Sequence, residues 1–209
     1  MARREVLEAS AELARRAPEF ALMVETFGPA ELRRGRPRRT HFAELARAIC
    51  YQQLAGSAAR AIHGRFEALF DGTPTPEAVL AAPDDALRAA GLSAAKIASI
   101  RDLAQHVVAG TVALDRIARR PDDRVVAELT QVRGIGRWTA EMFLMFQLGR
   151  LDVWPVDDFG VRKGYARVYG LAELPTARAL DPLGEPLRPY RSVAAWYCWR
   201  AAEDRSLSG

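Results

Sequence analysis

Cysteine is nearly missing from this chain: Cys50 and Cys198 are the only two among 209 residues, and they stand far apart. Two are too few for a disulfide framework, a four-cysteine zinc site or a cubane iron–sulfur cluster. Any chemistry must therefore use ordinary side chains. Long hydrophobic runs are also missing. No stretch approaches the roughly 18 apolar residues of a spanning helix. The start, MARREVLEASAELARR, alternates charge with Ala and Leu where a secretory signal has an apolar core. The expectation is a soluble, cytoplasmic protein with no membrane partner. Lysine occurs only at Lys96 and Lys163, so nearly all the positive charge is Arg. Sustained apolar/polar alternation and Asn-Gly or Asp-Gly hairpins are absent too, which removes the ordinary signals of β structure.

What is present is a folding composition. With 49% of residues apolar and 27% charged, the chain can bury a core and is not a disordered tail. At roughly 150 residues per domain it is one large domain or two small interlocked lobes. The net charge of +4 and pI near 9.4 permit a polyanionic partner without requiring one. An Arg-rich, Ala-rich composition also follows from a GC-rich genome, so the charge needs a motif beside it.

Helical punctuation predicts an all-α fold. Thr40 caps FAELARAICYQQ, whose Phe42, Leu45, Ala46, Ile49 and Cys50 form one buried stripe ending near Gly56. A second helix is expected from Ser57 to Phe70. Thr75-Pro76-Glu77 then supplies a cap, a proline at the first helical position and an acid in the first turn. Ser93 opens a helix striped by Ile97, Ile100, Leu103 and Val107 and stopped by Gly110. Short helices are expected around Leu114 to Arg119 and Asp122 to Val132. The stretch up to about Pro29 reads as one helix interrupted near Pro18. It is followed by a basic linker, Arg33 to Arg39, which reads as a solvated connector or a phosphate contact. Residues 1–39 are therefore expected to be an N-terminal helix and linker belonging to the same globule as a core over 40–209. His41 and His63 have no metal-like partners and read as structural.

The most informative segment is LTQVRGIGRWTAEMFLMFQLG, residues 129–149, where two helices meet at Gly134-Ile135-Gly136. Both glycines are expected to allow positive φ and close backbone approach, with Ile135 plugging the angle between the helices. The free N–H groups opening the second helix make an anion site suited to a phosphate. By itself such a turn is usually a plain αα-hairpin. Asp157 and Asp158, after Trp154-Pro155-Val156, stand where another helix should start, and one of them can cap it.

In four stretches, taken in order, the sequence resembles the helix-hairpin-helix DNA glycosylases, and within them the 3-methyladenine DNA glycosylase II branch. The stretches are ICYQQLAGSAARAI, GLSAAKIASIRDLA, LTQVRGIGRWTAEMF with DVWPVDDFGVRKGY, and RPYRSVAAWYCWR, spanning about Thr40 to Arg200. The resemblance implies two helical lobes with the active site in the cleft between them. It also implies a compact form without the separate N-terminal β domain of relatives, since only about 40 residues precede Phe42. Breaking an N-glycosidic bond builds positive charge on the sugar, so the reaction wants a fixed carboxylate beside C1′. The resemblance puts this role on Asp158 and gives Asp157 a structural or supporting one. A single-Asp pattern after Val would fit Val156-Asp157 instead. Arg133, Gly134, Ile135, Gly136 and Thr139 become the DNA-binding hairpin. Trp138 and Trp199 are implied to line the base pocket, with Phe159 beside the acid. An electron-rich indole attracts a cationic alkylpurine by about 0.5 to 2 kcal/mol, and the flipped base needs such a wall. Trp154 and Trp196 read as core.

Met142 stands where relatives have a pocket tyrosine, and Gly160 follows Phe159, so a roomier and less polar pocket is expected. Gln53 or Leu54 resembles the wedge that fills the gap left by the flipped base; read bare, Gln52-Gln53-Leu54 is a polar helix end. Arg191 and Ser192 resemble positions near the pocket-forming helix, where Arg191 is placed to meet a phosphate. Bifunctional relatives carry a lysine nucleophile two residues after the second glycine of the hairpin; here that residue is Trp138. The implied protein is a monomeric, nucleoid-associated, monofunctional glycosylase for alkylated purines in double-stranded DNA. No cofactor or catalytic metal is expected, a monovalent cation at the hairpin carbonyls excepted. Deaminated or etheno bases are the alternative substrates. A non-catalytic helix-hairpin-helix DNA-binding module and a helical protein-interaction domain are the alternatives from other classes.

Overall fold

The structure is a computed structural model that describes residues 3–32 and 39–204. Every regular element among the described residues is helical, and none is a strand. Most of the basic linker, residues 33–38, lies outside the described residues. Its last member, Arg39, is ion-paired to Glu67 at 2.9 Å. Among the described residues no helix is long and apolar enough to cross a membrane.

The chain divides into two compact units, one of residues 37–143 and one that joins 1–36 to 144–209. In the first unit the helices are α3 (His41–Tyr51), α4 (Gly56–Ala68), α5 (Pro76–Ala81), α6 (Asp84–Ala89), α7 (Ala94–Val108), α8 (Asp122–Leu129) and α9 (Arg137–Met142). Their starts follow the side-chain chemistry. Thr40, Thr75 and Ser93 each accept the amide of the residue three positions on, at 3.1, 3.2 and 3.3 Å. Helix α3 stops at Tyr51, not near Gly56, which instead opens α4. Helix α6 had no cap to announce it, because Pro83 stands at its N-cap. Helix α7 packs on α3, α5 and α6, and its Ile97, Ile100 and Leu103 are buried, as are Ile49 on α3, Val79 on α5 and Leu87 on α6.

The second unit contains α1 (Arg3–Arg16), a 3-10 turn at Pro18–Phe20, α2 (Ala21–Phe27), α10 (Phe159–Val168), α11 (Ala177–Leu183) and α12 (Arg191–Glu203). The N-terminal pair belongs here because Phe20, fully buried, meets Tyr169 edge-on at 6.0 Å and Tyr197 at 6.4 Å. Burying such a ring contributes about 1.5–3 kcal/mol. The Tyr197 hydroxyl, beneath it, donates to the Gly28 carbonyl at 2.8 Å. Helices α10 and α12 cross most closely at Gly164, where a Cβ would stand 1.8 Å from the Cys198 carbonyl oxygen. Between α9 and the second unit, Phe143–Leu148 is wound as a π-helix. Both cysteines are buried. Burial pushes the Cys50 thiol up to about 12 and that of Cys198 upward as well, so neither is a ready nucleophile.

Candidate active site

The residues expected to act fall into two groups: a hairpin with a neighbouring turn in the 37–143 unit, and a carboxylate with its aromatics in the other.

The hairpin joins α8 to α9. After α8 the Ile135 amide donates to the Val132 carbonyl at 3.0 Å, closing the turn. Gly134 takes φ +79, and a Cβ there would meet Ser99 Oγ at 2.7 Å, so glycine is required twice over. Gly136 is different from the expectation. It is extended, φ −89 and ψ 173, and serves as the N-cap of α9. Ile135 is buried as the expected plug. The amides of Arg137, Trp138 and Thr139 precede the first intrahelical bond, from Ala140 to Gly136, and form the positive end of the helix. Trp138 lies 47% exposed in this first turn, and Met142, half-buried, follows one turn later. Thr139 is buried, which removes its hydroxyl from the surface the hairpin offers.

Two contacts that the sequence did not disclose hold the turn from outside. The Arg133 amide donates to Asp102 Oδ2 on α7 at 2.7 Å, and Gln52 Nε2 donates to the Gly134 carbonyl at 2.8 Å. Gln52 ends α3 and precedes the expected wedge, Gln53 and Leu54, both exposed. Gln53 has φ 57, in a region that non-glycine residues rarely adopt, so the turn is a shaped projection and not a frayed helix end. Lys96 Nζ donates to the Cys50 carbonyl at the end of α3 at 2.6 Å. One of the two lysines is thus a scaffold cation for a helix C-terminus.

In the other unit, the loop before α10 is pinned from below. Ser192 accepts the Val153 amide at 2.9 Å while its own amide donates to Leu151. Trp154, buried as expected of core, donates its indole N–H to the Leu180 carbonyl at 3.0 Å. Arg191 corrects the expectation of a phosphate contact. Its fork is taken by Asp152, with Nε to Oδ1 at 2.7 Å, and its side chain is only 13% exposed. A guanidinium bound bidentately to a carboxylate is a loop clamp, not a phosphate receptor.

Asp158 is the N-cap of α10. Its Oδ1 accepts the Val161 amide at 2.8 Å and the Trp199 indole N–H at 2.9 Å. Asp157 is exposed while Asp158 is half-buried. Phe159 is 64% exposed. Trp199, on α12, stacks on Phe146 with centroids 5.8 Å apart and planes 26° from parallel. Phe146 was not singled out from the sequence, where it is one apolar residue in MFLMFQL. The carboxylate therefore stands beside the stacked Trp199 and Phe146 rings, oriented by two donors. Trp196 is half-buried with Arg200 over its ring at 5.5 Å. His63 is buried beside Glu67, and His41 sits edge-on to Phe143. Among the described residues no group of three or more His, Cys, Asp or Glu is placed to hold a metal ion.

The chain thus carries a helical hairpin closed by Gly-Ile-Gly and a helix-capping aspartate held by two donors. Residues 46–189 match the HhH-GPD superfamily of base excision DNA repair proteins, and the chain belongs to that superfamily. It is 36% identical over 184 residues to DNA-3-methyladenine glycosylase 1 of Schizosaccharomyces pombe, covering 87% of this chain and 81% of that protein. In three dimensions it is similar to the Schizosaccharomyces pombe 3-methyladenine DNA glycosylase in complex with abasic DNA. The TM-score is 0.81 and the identity 35%, over 92% of this chain and 95% of the other. It is also similar to a DNA-3-methyladenine glycosidase from Bacillus halodurans, with a TM-score of 0.83 and 36% identity over 93% and 88% of the two chains.

Proposed function

We propose that this protein is a monofunctional DNA glycosylase that excises alkylated purines of the 3-methyladenine and 7-methylguanine type from duplex DNA, leaving an abasic site. The observation that carries this reading is the Asp158 carboxylate, held by the Val161 amide and the Trp199 indole, with Trp199 stacked on the exposed Phe146 ring. A cationic alkylpurine is a good leaving group, so the protein has little leaving-group chemistry to supply. As the glycosidic bond lengthens, positive charge grows on the sugar, and a carboxylate already aligned stabilises it without reorganising. The same carboxylate orients the attacking water. The aromatic face favours a base that carries charge over its neutral counterpart.

The hairpin's part is positioning. The amides opening α9 bind a backbone phosphate, and the Gln53–Leu54 projection occupies the space of the extruded nucleotide. The Val132 and Gly134 carbonyls each accept one hydrogen bond and keep a second lone pair, which fits a monovalent cation. When bound, that ion would add positive charge on the phosphate side of the turn. Gly134→Ala forces a Cβ against Ser99 at a left-handed backbone position, at a cost of about 1–2 kcal/mol. Duplex affinity, read by fluorescence anisotropy on an abasic oligonucleotide, is expected to fall about tenfold.

The deciding experiment is a panel of duplexes carrying methyladenine, methylguanine, ethenoadenine, hypoxanthine and uracil, incubated with the protein and then cleaved by hot alkali. Release of the methylated purines is expected. Release of uracil alone would overturn the substrate assignment, and release of nothing would overturn the enzyme. Borohydride added during turnover should trap no covalent protein–DNA adduct, because Trp138 stands where a Schiff-base lysine would be needed and Lys96 is bound to the α3 carbonyl. A trapped adduct on sodium dodecyl sulfate gels would contradict the monofunctional reading.

A further inference from the structure

Gly160 has no backbone reason to be glycine. It sits in the first turn of α10, in a helix with ordinary negative φ, where alanine is the better residue by about 1 kcal/mol. The reason lies in the space above it. A Cβ at residue 160 would stand 2.8 Å from Trp199 Cδ1, 3.3 Å from Trp199 Nε1 and 3.1 Å from Asp158 Oδ1. The bare Cα is thus covered by the pyrrole edge of the indole, the edge that donates to Asp158. The room expected in the pocket from a glycine at this position is taken up by Trp199.

We infer that Gly160 is a positioning residue for the excision reaction: its missing side chain lets the Trp199 indole N–H reach Asp158 Oδ1 and so fixes the direction of the carboxylate. Resting on the reading of Asp158 as the acid, the inference adds which residue sets its geometry and through what contact. The indole adds a second donor to the oxygen that accepts the Val161 amide and so restrains rotation of the carboxylate about χ2. Any side chain at 160 meets Cδ1 near the root of the indole, not at a flexible tip, so the ring must tilt away and the bond to Asp158 opens.

The test compares Gly160→Ala, Trp199→Phe and the double variant in the full chain. The indole N–H resonance of Trp199, assigned by its loss in Trp199→Phe, is expected downfield and slow to exchange in the wild type. In Gly160→Ala it is expected upfield and fast to exchange. Single-turnover release of methyladenine should fall about tenfold in Gly160→Ala, with affinity for an abasic duplex within about twofold of wild type. The double variant should lose no more than Trp199→Phe alone, since both changes remove one contact. Trp199→Phe keeps an aromatic ring and removes only the donor, so full excision by that variant overturns the inference even if Gly160→Ala folds poorly. A wild-type indole signal in Gly160→Ala also overturns it, as does a full additional loss in the double variant. Wild-type excision by Asp158→Asn would instead sink the reading of the acid itself, and the indole signal, which needs no turnover, separates the two failures.

Discussion

Asp158→Asn is expected to stop base release while leaving the fold and DNA binding in place. Asparagine is as good an N-cap as aspartate, so its side-chain oxygen still accepts the Val161 amide and the Trp199 indole. What disappears is the negative charge. If that charge stabilises the sugar cation, single-turnover release of methyladenine should fall about a thousandfold or more, roughly 4 kcal/mol of transition-state stabilisation. Asp158→Ala would be a poorer experiment, since it also removes a cap worth about 1 kcal/mol. The partner control is Asp157→Asn. Asp157 is exposed, and its variant should keep excision within about threefold. The opposite pattern, a silent Asp158→Asn and a dead Asp157→Asn, would move the acid one residue back.

The largest effect on stability is expected from Gly164→Ala. The Cβ would fall 1.8 Å from the Cys198 carbonyl oxygen, 2.3 Å from its carbon and 2.6 Å from its Cα. These are backbone atoms in the middle of α12, and no rotamer change relieves them. The two helices must separate along their length. Overpacking of this severity costs about 3 kcal/mol or more, which lowers the melting temperature by about 6–12 °C in a chain of this size. Because α10 begins at the Asp158 cap and α12 carries Trp199, the surviving folded molecules should also lose the indole bond. Urea and thermal unfolding followed by circular dichroism read the first effect. An unchanged midpoint would mean that α10 and α12 do not cross at this glycine.

How much of this was readable beforehand depended on the range of the interaction. Caps act over three residues, so Thr40, Thr75 and Ser93 announced their helices, and the stripe Ile97, Ile100 and Leu103 announced a buried face. Thr176 caps α11 in the same way and was legible but unread. Helix α6 begins after Pro83, which has no capping side chain, so nothing local marked it. Of the hairpin glycines, the φ of Gly134 follows from its place in a closed turn. Gly136 has the extended backbone of an N-cap, which the residue type does not distinguish from a left-handed one. The site was legible as residue types at a spacing: Asp158 at a helix start, Trp199 in the last helix, Trp138 after the hairpin. Its bonding was not. Arg191 reads as a phosphate ligand until Asp152, 39 residues earlier, takes its fork, and Gln52 is anonymous until it meets a carbonyl 82 residues away. Phe146 owes its place beside Trp199 to a segment wound as a π-helix, which no pattern in MFLMFQL specifies.

The division of the chain has a consequence for synthesis. Residues 37–143 form a unit from one continuous stretch, which can close as soon as that stretch is made. The other unit is assembled from the two ends of the chain. Helices α1 and α2 are made before α12, so Phe20 has no Tyr197 to pack on, and Gly28 no hydroxyl to bind, until α12 is made. At about 5–20 residues per second, the amphipathic opening helices wait ten seconds or longer with their apolar faces open. The aspartate and its indole partner are joined within this late-closing unit, so the chain acquires its chemistry only once α12 has been made.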